Sequence, residues 1–415
     1  MPAQVNSQYL TQSLTSSLAQ SSYVQSALAH SIHFAEVLMA RPSITPVDAG
    51  CQSYLMHRLE KLGFECEIHR VEGVKNLIAK WGTGAQHFAF SGHTDVVPPG
   101  PLEKWHSPPF CPVISQNKLY GRGAADMKTG IAAMLAATER AITYMNEQDV
   151  TFWWLITSDE EGEAEWGSRW IRTYLDQQNI TLDMCLIGEP TASHHTGDTI
   201  KIGRRGSLSV TVTVNGNEGH VAYPKTAINA IHTASNIIQK LTQYPFDEGS
   251  DDFPGTSLQV THLNTGDFTD NIVPGAARIE FNVRYSWQFT QESLILLLSK
   301  LIHSVDARAD ISFSRPCESY ISKPSDNDVC LINSVERAIK KATGRYPVIS
   351  TSGGTSDGRF FASAHTQVVE VGVPNTTIHQ VNEHIHLSDL VTLEDIYTDV
   401  LLSLTECKEE RHTTT

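Results

Sequence analysis

The sequence predicts an α/β protein built as a three-layer domain that is split in the chain by a smaller inserted βαββαβ domain. Three observations lead there. At 415 residues the chain exceeds the comfortable size of one hydrophobic core. Short apolar runs alternate with segments of helical period, and several of those runs end in His or acidic residues. The rhythm changes at Gly206 to strand, helix, strand, strand, helix, strand, and returns to the earlier alternation after Ser322.

In chain order, residues 1–22 are rich in Ser and Gln and poor in large apolar side chains, which predicts a flexible N-terminal extension. Val24, Leu28, Ile32, Ala35 and Leu38 recur at helical spacing over Tyr23 to Ala40, and Pro42 ends that run. Thr45-Pro46-Val47-Asp48 has the form of a helix N-cap with Pro in the first turn, predicting a helix that Gly63 stops. Strands follow over Phe64 to His69, Val74 to Trp81 and Phe88 to Ser91, the last delivering Gly92-His93-Thr94-Asp95 to its carboxyl end. A long loop from Pro98 to Lys118 leads into Gly121-Arg122-Gly123-Ala124-Ala125-Asp126, where an alanine-rich helix begins.

Two more buried strands carry acids at their ends: Thr151 to Ser158 before Asp159-Glu160-Glu161-Gly162, and Met184 to Ile187 before Gly188-Glu189-Pro190. Each signal alone reads equally well as a satisfied His or a solvated acidic turn. Their repetition at strand carboxyl ends, where open α/β sheets bind ligands, predicts one shared site. His93 and Asp95, two apart, share a face, so the Asp is placed to fix the ring of a metal-binding His. The inserted segment predicts strands Leu208 to Asn215, Ser257 to Leu263, Ala277 to Tyr285 and Ala309 to Phe313, with helices Thr226 to Gln243 and Gln291 to His303, a ferredoxin-like order. Helix Asp328 to Lys341, strand Thr366 to Val371 and helix Leu390 to Leu404 complete the outer domain. The expected boundaries are 23–205 with 322–415 for the outer domain, and 206–321 for the insertion.

Composition excludes some functions. A net charge of −15 opposes nucleic acid or an anionic membrane as the main partner. No apolar run approaches the roughly 20 residues that cross a bilayer, and the N-terminus lacks a signal-peptide pattern, so a soluble, cytoplasmic protein is expected. The seven cysteines, Cys51, Cys66, Cys111, Cys185, Cys317, Cys330 and Cys407, form no CxxC pair. A metal here would be held by His and carboxylate. No GxSxG elbow suggests a serine nucleophile.

The segments Gly92 to Gly100, Gly121 to Lys128, Ser158 to Gly162, Gly188 to Thr191 and Gly219-His220-Val221-Ala222-Tyr223-Pro224, together with Gly203 to Ser207, Ser352 to Arg359 and Asn375 to His379, resemble the dinuclear zinc aminoacylase and carboxypeptidase superfamily. The likeness covers roughly Val37 to the end. It implies a zinc-exopeptidase-like catalytic domain and an inserted lid or dimerisation domain. It also implies His93 and Glu189 as ligands of one zinc, Glu161 and His379 of a second, and Asp126 bridging both; His and carboxylate donors also suit cobalt, in one of the sites, and manganese.

Glu160 is implied as general base, Asp95 as a supporting catalytic residue, and His220 as an oxyanion donor reaching across a homodimer from the partner subunit. Lys201, Arg204, Ser207, Tyr223, Asn271, Arg284, Gly354, Thr355 and Asn375 match positions that contact acyl or amino-acid parts of a substrate. His384 and His386 have no matching role and read as surface or packing residues, while Glu383 reads as a neighbour of the metal ligands. Pro101 and Ser352 depart from the pattern outside the metal shell. The nearest likeness implies hydrolysis of an acidic small molecule, N-succinyl-L,L-diaminopimelate, by a hydroxide held between the two ions. A sister deacylase acting on acetylornithine and a non-catalytic dimerising relative are the alternatives.

Overall fold

The computed structural model describes residues 30–251, 253–266, 269–322 and 330–406. The expected N-terminal extension, the start of the first helix and Cys407 lie outside the described residues. The chain divides into two compact units, one of residues 1–200, 323–349 and 363–415, the other of residues 201–322 and 350–362.

The first unit is built on an eight-stranded sheet in the order Glu65–Val71, Val74–Trp81, Val150–Thr157, Gln86–His93, Met184–Ile187, Gln367–Glu370, Thr199–Lys201, Val348–Ser350. Gln86–His93 pairs in parallel with both Val150–Thr157 and Met184–Ile187, and Met184–Ile187 pairs in parallel with Gln367–Glu370. Strands covered on both faces need apolar side chains on both, and every residue of Val150–Thr157 and Met184–Ile187 is buried. Aromatic side chains fill the space between strands: Phe90 meets Trp154 edge-on at 5.0 Å and Phe88 meets Phe152 at 5.3 Å. Each such burial contributes about 2–3 kcal/mol.

Register matters more than content for the site. His93 lies opposite Thr157 and Ser91 opposite Ile187, so the carboxyl ends of three strands finish level. The helix Lys128–Ala141 is buried along most of its length, and Gly130 lets it touch the chain that carries Glu189. A Cβ on Gly130 would stand 2.4 Å from the Gly188 carbonyl oxygen.

Two local expectations differ from what is observed. The helix expected from Thr45 begins only at Cys51. Thr45 instead donates its N–H to Val96, and the Asp48 carboxylate accepts from the N–H groups of Gly50 and Gln52. The long loop after Pro98 contains a hairpin, Val113–Ser115 with Lys118–Tyr120, to which His384–His386 adds a third strand. Strands of three residues are too short to show a period.

The second unit has the order strand Gly206–Asn215, helix Ala230–Thr242, strands Ser257–Asn264 and Ala276–Tyr285, helix Gln291–His303, strand Asp310–Cys317. Its antiparallel sheet runs Ser257–Asn264, Ala276–Tyr285, Gly206–Asn215, Asp310–Cys317. Leu208, Val210, Val212 and Val214 alternate into the core with Ile279, Phe281 and Val283, and meet Ala234, Ile237, Leu241, Leu294 and Leu298 from the helices. The expected boundaries shift: residues 201–205, Ser322 and residues 350–362 group with this unit, whereas the sequence placed them in the outer domain. The reason is local pairing, since Gly203–Arg204 pairs with Tyr320–Ile321 and the Lys201 ammonium bonds Ser350 and Ser352. No helix among the described residues is long and apolar enough to cross a membrane.

Candidate metal centre

His93 ends its strand with a side chain that is 1% exposed. Its Nδ1 lies 2.9 Å from the backbone carbonyl oxygen of Asp95, which places a proton on Nδ1 and aims Nε2 at the acids. Nε2 is 3.1 Å from Asp126 Oδ1 and 3.5 Å from Glu189 Oε1. On the other side of Asp126, His379 Nε2 is 3.5 Å from Oδ2 and 3.0 Å from Glu161 Oε1. His379 sits in the left-handed region, φ 58, where a turn from Thr377 to Gln380 reverses the chain. Two triads result, His93–Asp126–Glu189 and Asp126–Glu161–His379, and each brings its ligand atoms within 4.8 Å of one another.

Asp95 does something other than expected. Its carboxylate is 3.6 Å from His93 Nδ1, and the ring is held by the backbone carbonyl instead. The carboxylate accepts the N–H groups of Glu160 at 3.2 Å and Glu161 at 3.1 Å, and so fixes the turn that carries both glutamates. Asp159 shapes the next turn, accepting from Ala164 and Trp166. Neither contact has a sequence signature, because a carboxylate that caps distant backbone looks like any other acid. His384 packs on Tyr120 at 4.7 Å and lies 3.0 Å from the Lys118 ammonium, away from both triads.

The donors behave as a set that lacks positive charge. Burial disfavours a charged His93 ring, yet hydrogen bonds to Asp126 and Glu189 raise it well above the ordinary imidazole value. Hydrogen bonds to Asp126 and Glu161 raise His379 to about 10. Burial, reinforced by the Asp126 carboxylate, pushes Glu189 up to about 7, and burial pushes Asp95 up to about 6. Burial works against an ionised Asp126 too, but the His379 and His93 rings hold it below the usual carboxylate range. Protons are retained because carboxylates crowd one another. His nitrogen and carboxylate oxygen are donors for borderline divalent cations, which would displace those protons, so the residues fit a pair of metal ions sharing Asp126.

Asn375 lies in the first unit, its N–H bonded to the Ala192 carbonyl, four residues before His379. The remaining predicted contacts form two groups in the second unit. In one, Lys201 bonds Ser350 at 3.1 Å and Ser352 at 3.0 Å, and Arg204 Nη1 reaches the Ser352 carbonyl at 3.5 Å, beside the loop carrying Gly354 and Thr355. Ser207 faces Arg284 across paired strands, and the buried Nη1 of Arg284 has no hydrogen-bond partner among the described residues.

In the other group, His220 pairs with Ile272, the Tyr223 ring lies tilted against it with centroids 5.7 Å apart, and the Asn271 backbone carbonyl accepts the Val221 N–H. His220 Nδ1 accepts from Ala222 N–H at 3.1 Å, so the neutral ring carries its proton on Nε2.

The family model for Peptidase family M20/M25/M40 matches residues 89–403, a span that holds every residue of both triads. The chain belongs to this family. It is 76% identical to succinyl-diaminopimelate desuccinylase 1 of Alteromonas mediterranea over 384 residues, 92% of this chain and 98% of that one. It is 47% identical to succinyl-diaminopimelate desuccinylase 2 of Shewanella loihica over 373 residues, 89% of this chain and 99% of that one.

Among solved structures, an M20 family metallo-carboxypeptidase from Sulfolobus solfataricus superposes with a TM-score of 0.74 at 19% identity, covering 90% of this chain and 99% of that one. A dinuclear metal binding peptidase of the M20 family from Bacillus subtilis superposes with a TM-score of 0.67 at 15% identity, covering 92% and 99%. At those identities the likeness is one of fold. Family membership makes the chain a hydrolase with a metal-binding site.

Proposed function

We propose that this protein hydrolyses N-succinyl-L,L-2,6-diaminopimelate to succinate and L,L-2,6-diaminopimelate, using two zinc ions per subunit. The observation that carries the reading is the pair of triads sharing Asp126, in a chain 76% identical to a relative named for that reaction. His93 and Glu189 would hold one ion, Glu161 and His379 the other, with Asp126 common to both. When bound, such ions polarise the scissile carbonyl and acidify water.

The chain's own residues then divide the work. Glu160, whose backbone is anchored on Asp95, takes a proton from the attacking water and passes it to the departing amine. His220 offers Nε2–H to the oxyanion as the carbonyl carbon becomes tetrahedral. Lys201, Arg204 and Arg284 meet the substrate carboxylates, with Ser207, Tyr223, Asn271, Gly354, Thr355 and Asn375 completing the contacts. His220 acts from the partner of a homodimer formed through the second unit. In support, the same loop exposes Val221, Tyr223 and Ile228, apolar side chains that a subunit contact would cover. The enzyme works in the cytoplasm, in keeping with six described cysteines that form no disulfide.

The test is a paired assay on N-succinyl-diaminopimelate and N-acetylornithine, with chelator and zinc add-back. Metal-restored turnover of the succinyl substrate is expected. Faster turnover of the acetyl substrate would overturn the assignment, and turnover indifferent to chelator would overturn the metal chemistry.

A further inference from the structure

A buried ion pair stands behind the metal centre. Glu383 and Arg122 are 1% and 2% exposed and meet at 2.7 Å. Glu383 Oε1 accepts the N–H groups of Ala125 at 2.7 Å and Asp126 at 3.1 Å, while Oε2 accepts Gly123 N–H at 3.0 Å besides the Arg122 guanidinium. A carboxylate has about four lone-pair positions, and here all are used on one loop. The pairing of His384 with Tyr120 sets this up, since it brings Glu383 beside Gly121, whose N–H bonds the Glu383 carbonyl. Arg122 extends the clamp, with Nη1 reaching the Gln380 carbonyl at 3.4 Å and Nη2 the Pro98 carbonyl at 3.2 Å. Its guanidinium also lies 5.4 Å from the centre of the Trp105 ring.

The contacts fall unevenly on the two triads. Asp126 and His379 both sit on segments tied by this pair, one through its own N–H and the other through its neighbour Gln380. His93 and Glu189 do not. They are carried by paired strands of the central sheet, with His93 level with Thr157 and Glu189 two residues past Ile187. Glu161 is held separately by Asp95.

We propose that the Arg122–Glu383 pair is a positioning device that sets occupancy of the Asp126–Glu161–His379 site more than that of the His93–Asp126–Glu189 site. It rests on the reading of both triads as metal sites. The first triad keeps two ligands on strand ends when the clamp fails. The second keeps only Glu161.

The experiment uses the full chain stripped by chelator and titrated with Co2+ alone, followed by calorimetry and by the visible absorption of the bound ion. The unsubstituted protein should take up two ions. Glu383→Gln should keep one at unchanged affinity and bind the second roughly 10–100-fold more weakly, the range typical for residues that orient metal ligands. Arg122→Lys keeps the charge but loses the fork to Pro98 and Gln380, and should weaken the same ion; it decides the matter if Glu383→Gln does not fold. Equal weakening of both ions, as a general loss of stability would produce, or two unchanged affinities, would overturn the proposal. An unsubstituted protein that binds no ions would overturn the underlying reading of the triads.

Discussion

Replacing Asp95 by Asn tests whether the turn that carries Glu160 is held electrostatically. Asp95 Oδ2 accepts the Glu160 N–H at 3.2 Å and the Glu161 N–H at 3.1 Å, and Oδ1 lies 3.4 Å from the Glu160 nitrogen. With its carboxyl pushed up to about 6 by burial, it is ionised in an assay at about pH 8. Asn placed with its oxygen at that position keeps both bonds but makes them neutral. A hydrogen bond to a charged group contributes about 1.5–3 kcal/mol and a neutral one about 0.5–1.5, so two weakened bonds cost roughly 2 kcal/mol. If that cost falls on the transition state, kcat/KM drops by about 30-fold. Asp95→Ala removes this acceptor from both half-buried N–H groups and should lose at least 100-fold, each lost acceptor costing about 1–3 kcal/mol. The assay is steady-state hydrolysis of N-succinyl-diaminopimelate with kcat and KM separated, and the loss should appear in kcat. Asn at wild-type kcat, or Ala no worse than Asn, would refute the reasoning.

Metal affinity should rise with pH, because Glu189 at about 7 and His379 at about 10 must release protons before they can ligate; competition titrations with a chelating dye across pH 6 to 9 would detect a flat response. The metal-free protein should show the opposite trend. Both groups have raised values, so the stability they contribute is present at low pH and is lost through about 4.5 to 7 for Glu189 and about 6.5 to 10 for His379. Thermal melts of apoprotein at several pH values would measure it. Glu160→Gln should lower kcat by about 100-fold or more with Co2+ stoichiometry unchanged, in line with the usual contribution of a general base; retained turnover would remove Glu160 from that role. Gly353→Ala puts a Cβ 2.6 Å from Arg204 Nη1 on backbone at φ 108, and should raise KM while leaving kcat nearly intact.

The sequence by itself determined the order of the longer elements and the residue types of the centre. Alternation of Leu208, Val210, Val212 and Val214 states which face of a strand is buried, because side chains on a strand have a strict period of two. Acids and a His at the ends of apolar strands mark an edge, because only a sheet can bring strand tips together. Tertiary structure decided what no local pattern carries. The level finish of His93, Glu189 and the Glu160–Glu161 turn comes from strand register. The capping of that turn by Asp95, the hold of Glu383 on the Asp126 loop from about 260 residues away, and the bond from Lys201 to Ser352 in the 350–362 segment come from side chains meeting partners distant in the chain. A carboxylate can accept from almost any main-chain N–H and an ammonium can donate to almost any hydroxyl, so such bonds leave no trace in composition or periodicity and become visible only when the chain has folded.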